Sequence, residues 1–141
     1  MWSKTYSRIV QGTTRAEIFA VWADINNWTR WQDDVVLAEL TQPLAKGSTF
    51  TFQPKGGPKL TLELTEVTDG VSFTDLTRFP LAKMYDAHEL MEVAGGVEIR
   101  STCTISGPLS FVWRKIVAEN IVKGMPEQTD RLIARVAFLK N

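Results

Sequence analysis

From Gly107-Pro108-Leu109 to Lys140 the chain holds one helical period almost to its end, and this constrains the fold more than any other feature. Trp113, Val117, Ile121, Met125, Leu132, Val136 and Leu139 form an apolar stripe, while Lys115, Glu119, Lys123, Glu127, Arg131 and Arg135 fall on the opposite side. Gly-Pro opens the segment, and Gly124 and Pro126 interrupt it. An interior proline removes an amide donor and crowds the preceding turn, so a bend is expected near Gly124–Pro126. Nearly everything before this helix reads as strands. A long helix laid across an antiparallel sheet, broken over its middle, implies a sheet curled around a hollow, and a hollow implies a ligand.

The remaining elements follow from local signals. Residues 3–10 carry Tyr6, Ile9 and Val10 and form a first strand. Thr14-Arg15-Ala16-Glu17 has the spacing of a capping box, and Ile18, Phe19, Val21, Trp22 and Ile25 follow at helical spacing up to Asn26-Asn27. Trp28-Thr29-Arg30-Trp31 is expected to be a second, single-turn helix. Strands are expected over Val35–Leu40, Ser48–Gln53, Lys59–Thr68, Val71–Phe79, Met84–Val93 and Val97–Ser106. Turn residues at Gln42–Gly47, Pro54–Pro58, Asp69-Gly70, Pro80–Lys83 and Ala94–Gly96 separate them. Such short connections make the sheet antiparallel. Seven strands cannot lie flat beneath one helix, so the sheet should bend into a half-barrel.

The chain has 141 residues, 44% hydrophobic and 23% charged, which fits one domain spanning 1–141 with a core of its own. Sixteen basic and sixteen acidic side chains balance, leaving no surplus of positive charge for a nucleic acid. No apolar run reaches the ~18 residues of a bilayer span, and Met1–Tyr6 lacks the apolar core of a signal peptide. A cytoplasmic chain without integral membrane association is expected, and a homodimer is compatible with the sequence. Cys103 shares an alternating face with Val97, Ile99, Ser101 and Ile105, which reads as a buried small hydrophobe.

Three places carry a resemblance to a known family. They are Phe19–Trp31 with its Asp24 and paired tryptophans, Gly95-Gly96 before a strand ending in Gly107-Pro108-Leu109, and the long final helix with Gly124-Met125-Pro126. Together they resemble the START-like (SRPBCC) superfamily, in its polyketide cyclase/dehydrase and lipid transport branch. The resemblance implies an α+β helix-grip fold: a seven-stranded curved antiparallel sheet around a long C-terminal helix, with two short helices between strands 1 and 2. It implies an internal cavity for a small hydrophobic or amphipathic ligand and no shared catalytic residue, because members carry lipids, sense hormones, cyclise polyketides or assist chaperones.

Motifs for metals, phosphates and nucleophiles are missing: there is no HExxH, CxxC, P-loop, GxSxG or GxGxxG. With one histidine and one cysteine, neither a metal site nor a cofactor is expected. A Cys103–His88 dyad on neighbouring strands is conceivable but has no third orienting group. His88 is the leading candidate for chemistry, since its imidazole both donates and accepts near neutral pH. Its strand is cleanly apolar on neither face, and the resemblance implies that His88 points inward. Asp75 alternates with Phe73 and Thr77 and is a second inward polar group, whereas Arg78 takes the other parity. The expected cavity lining is Trp31, Phe50, Phe52, Leu62, Phe73, His88, Leu90, Ile99, Trp113, Val117, Asn120, Ile121 and Gly124. Trp22 reads as core, Trp28 with Trp31 as an aromatic lip, and Lys55–Lys59 as a hairpin loop or a mobile gate. Three functions remain open: a carrier or sensor, a cyclase- or dehydratase-like enzyme using His88 and Asp75, and a chaperone-activator-like interaction module.

Overall fold

The computed structural model describes all 141 residues, with strands β1 (Trp2–Val10), β2 (Val35–Glu39), β3 (Thr49–Pro54), β4 (Leu60–Thr68), β5 (Ser72–Phe79), β6 (Ala82–Val93) and β7 (Gly96–Ser106). They form one antiparallel sheet in the order β1-β7-β6-β5-β4-β3-β2. β2 to β7 run as a meander, and β1 closes onto β7 with Trp2 opposite Ile105 and Val10 opposite Val97. Bulges between Val35 and Leu37 and between Leu64 and Glu66 add local bend and twist to the curling sheet.

Helix α1 (Arg15–Ala23) starts at the expected capping box: Thr14 Oγ1 accepts from the Glu17 amide at 3.2 Å, and Glu17 Oε1 accepts from the Thr14 amide at 2.9 Å. It ends sooner than the sequence suggests, at Asp24, and Ile25–Arg30 continues as a 3-10 helix instead of a single turn at Trp28–Trp31. Trp28 is not a lip. Its ring is buried edge-on to Phe50 and its indole Nε1 donates to the Trp22 carbonyl at 3.1 Å, which draws the chain into the tighter helix.

The final helix departs from expectation in an instructive way. α2 (Ser110–Trp113) passes through a π turn at Arg114–Ala118 into α3 (Glu119–Lys140), and α3 runs unbroken through Gly124 and Pro126. The irregularity thus lies upstream of the proline. Packing overrides local propensity here. Met125 and Thr129 are buried on either side of Pro126, Thr129 Oγ1 donates to the Met125 carbonyl at 2.8 Å, and Arg8 Nη2 donates to the Pro126 carbonyl at 3.2 Å. Arg8 also pairs with Asp130, fastening β1 to the helix.

Two apolar clusters lie under the helix. The larger joins α1, the 3-10 helix and β2 to β7 through Trp22, Trp28, Phe50, Leu64, Phe73 and Leu90, and reaches α3 at Leu132 and Val136. The smaller lies beneath the π turn and joins Ala82, Met84, Cys103 and Ile105 to Ala118 and Met125. At the turn before β6, Leu81 adopts φ 57°, and its carbonyl accepts from the Leu109 amide at 3.0 Å. β6 therefore begins at Ala82, two residues before the expected Met84.

Candidate functional site

Where the two clusters meet, the inner face of the sheet turns polar. Register explains why. Asp75 of β5 stands opposite Asp86 of β6, and Asp86 stands opposite Cys103 of β7. In the next row Phe73 faces His88, and His88 faces Ser101. Because side chains alternate across a strand, Asp75, Asp86, His88, Ser101 and Cys103 all project toward the helix. Asp75, His88, Ser101 and Cys103 are buried, and Asp86 is part-buried with its Oδ1 shielded from solvent. Both Asp75 and His88 are inside as expected, while Arg78 points outward and pairs with Glu63 at 2.9 Å.

The imidazole of His88 is positioned by aromatic rings. It stacks on Phe73 at 4.7 Å between centroids and lies tilted against Trp22 at 5.4 Å. Its Nε2 is 3.5 Å from Asp86 Oδ2, beyond the usual N–H···O range. Asp86 Oδ1 is buried without a hydrogen-bond partner. One nitrogen and two carboxylate oxygens, from His88, Asp75 and Asp86, lie within 4.8 Å of one another.

This grouping sets the protonation states. Burial, reinforced by the charge on Asp86 and opposed by His88, pushes Asp75 well above its ordinary value, so its carboxyl favours the neutral form. Burial also works against the charged imidazole, but the charge and proximity of Asp86, aided by Asp75, outweigh it and raise His88. Burial, with both carboxylates, pushes the Cys103 thiol up to about 12. A protonated thiol that faces Asp86, with Ser101 in the place opposite His88, is no nucleophile–base dyad.

The other expected lining residues divide. Phe50, Leu62, Phe73, Leu90 and Ile99 are buried in the larger cluster with Phe52 packed against it, and Trp113, Val117 and Ile121 flank the smaller one. Asn120 and Gly124 are exposed instead. Each precedes a stripe residue by one position, which on a helix is about 100° round the axis. Asn120 only donates back to the Ile116 carbonyl at 3.4 Å. Trp31 is buried but borders a cleft of about 410 Å³ between α1 and the last turns of α3, with Val21, Arg135, Val136 and Leu139, and no strand residue lines it. The loop at Lys55–Lys59 joins β3 to β4 as a hairpin connection. Sequence reasoning missed the part-buried Asp86 and the buried Gln32 and Thr129. The i, i+2 spacing of Asp86 and His88 on one strand was the available signal for Asp86. Gln32 and Gln128, paired side chain to side chain at 2.9 Å, meet only through the tertiary fold.

No family model matches the sequence, and no curated protein matches it. Solved structures do. A hypothetical protein of Helicobacter pylori, jhp0584, superposes with a TM-score of 0.75 at 17% identity, covering 95% of this chain and 87% of that one. Ara h 8.0201 gives 0.71 at 14% identity over 99% and 100%. The di-domain ARO/CYC protein BexL of the BE-7585A biosynthetic pathway gives 0.76 at 13% identity, covering 100% of this chain and 48% of BexL. With its seven-stranded curved sheet, its short helices between β1 and β2 and its long last helix, the chain has the START-like helix-grip fold.

Proposed function

We propose that the protein binds a small amphipathic molecule between the curved sheet and the C-terminal helix, as a carrier or sensor. One observation carries this reading: between two apolar clusters on the inner face of the sheet, Asp75 and His88 are buried beside Asp86, whose buried Oδ1 has no hydrogen-bond partner. A buried polar group without a partner costs about 1–3 kcal/mol, so this placement favours a polar ligand group that completes Asp86. An apolar ligand body would lie along Trp113, Val117 and Ile121, which are only part-buried and packed against the smaller cluster. The π turn adjoins this segment, and such turns recur at functional sites.

Native mass spectrometry of protein purified from its source, with chelator present, tests the proposal. A bound small molecule, together with saturable binding of an anilinonaphthalene dye that the molecule displaces, is the expected result. A chain that carries no adduct and binds no dye overturns it. A second reading, a cyclase- or dehydratase-like enzyme, is favoured by the acid and base groups of Asp75 and His88 lying together. His88→Gln separates the two. A carrier keeps most of its affinity, whereas an enzyme loses on the order of a hundredfold in rate at similar affinity.

A further inference from the structure

We propose that Asp75, Asp86 and His88 form a binding site for a first-row divalent cation, of which zinc is the probe of choice. The site belongs to the same interior as the ligand reading but does not depend on it.

The donor set is chemically apt. One imidazole nitrogen and two carboxylate oxygens suit zinc, manganese or ferrous iron. Ligand bonds of about 2.0–2.2 Å in tetrahedral array place donor atoms about 3.3–3.6 Å apart. His88 Nε2 and Asp86 Oδ2 already stand at 3.5 Å, and all three donors lie within 4.8 Å, so small rotamer changes close the site. The ligands come from adjacent strands at fixed register, Asp75 directly opposite Asp86 and His88 two residues along the same strand. Rigid elements of this kind hold ligands better than loops do.

Independent observations mark the site as incomplete. Asp86 Oδ1 is buried and accepts no hydrogen bond. Asp75 is only 5% exposed, and no arginine or lysine pairs with it or with Asp86. Four arginines pair with other carboxylates: Arg8 with Asp130, Arg78 with Glu63, Arg100 with Glu98, and Arg131 with Glu127. The two inward carboxyl groups face each other across the strand pair, so a divalent cation between them would be held by both. The stack of His88 on Phe73 fixes the ring with Nε2 toward Asp86, an orienting role that a hydrogen bond to the other nitrogen often serves at metal sites. Three protein ligands leave a fourth position for water or for a polar group of a bound molecule.

The test uses full-length, tag-free protein stripped with chelator, then titrated calorimetrically with Zn²⁺ and no organic ligand. One ion per chain is expected. Co²⁺ in its place should give the visible absorption bands of a tetrahedral site with nitrogen and oxygen donors. Asp75→Asn, nearly isosteric, and His88→Ala should each weaken Zn²⁺ binding by more than about tenfold. Cys103→Ser should leave it unchanged. Absence of stoichiometric binding to the wild type overturns the proposal, as does undiminished binding in folded Asp75→Asn and His88→Ala proteins. The cobalt spectrum of the wild type decides the matter if a variant fails to fold. Dye and adduct binding measured with chelator present succeeds or fails separately, which keeps this site distinct from the ligand reading.

Discussion

Asp75 and Asp86 face each other across the β5–β6 pair, Cα to Cα, on the buried side of the sheet. Two carboxyls so placed cannot both ionise cheaply. Asp75 is held above its ordinary 3.8 and His88 above its ordinary 6.5, so the folded chain binds more protons than the unfolded one. The stabilisation from both groups is complete below their ordinary values and is lost as pH rises through their folded values. For metal-free protein, urea midpoints should therefore fall between about pH 6 and about pH 8. Asp75→Asn should flatten the Asp75 share and gain on the wild type at the upper end. A midpoint that rises across this range would contradict the assignment.

Gly96 tests the closure of the sheet. At φ 151°, a Cβ there would sit 2.1 Å from the Val10 carbonyl oxygen, where β1 reaches the end of its pairing with β7. Gly96→Ala should cost about 3 kcal/mol or more in urea unfolding. Gly95, with open space around it, makes a useful contrast, since Gly95→Ala meets only backbone strain and should cost less.

Pro126 leaves the Val122 carbonyl without its helical donor inside an otherwise continuous α3. Pro126→Ala restores that bond and keeps the carbonyl that Arg8 uses. It should raise stability by about 1–2 kcal/mol, a part of the full interior-proline penalty. A loss of stability would show that the proline shapes the helix in a way the alanine cannot.

Thr14→Ala removes the side-chain half of the capping box and should lower stability by about 1 kcal/mol in the same assay. Thr14→Ser should restore most of it, because the hydroxyl is what accepts from the Glu17 amide.

Elements set by neighbouring residues were legible in the sequence. The Thr14–Glu17 box, the Asp69-Gly70 and Gly95-Gly96 turns and the alternation around Cys103 all appear where the pattern put them. What depended on packing was not. Strand β6 carries Asp86 and His88 inward and Tyr85 and Ala87 outward, so polarity could not orient it, and the resemblance had to. Local propensity marked Gly124 and Pro126 as a break, yet buried Met125 and Thr129 hold the helix through them. The meeting of Asp75 with Asp86 is a matter of register between two strands, which no single segment of sequence encodes.

The π turn at Arg114–Ala118 has a geometric consequence for the whole C-terminal third. Such a turn accommodates one residue more than α-helical bonding would use. Deleting a single residue within it would make an unbroken α-helix, but would swing everything upstream by about 100° and draw it in by about 1.5 Å. Trp113 would then leave its stack on Phe79 and its bond to the Pro80 carbonyl, while Met125 and Leu132 kept their seats. The surplus residue works as a phase adjuster between two lengths of helix that pack on one curved sheet. Chain length between Gly107 and Met125 is for that reason less free to vary than length in any of the hairpins.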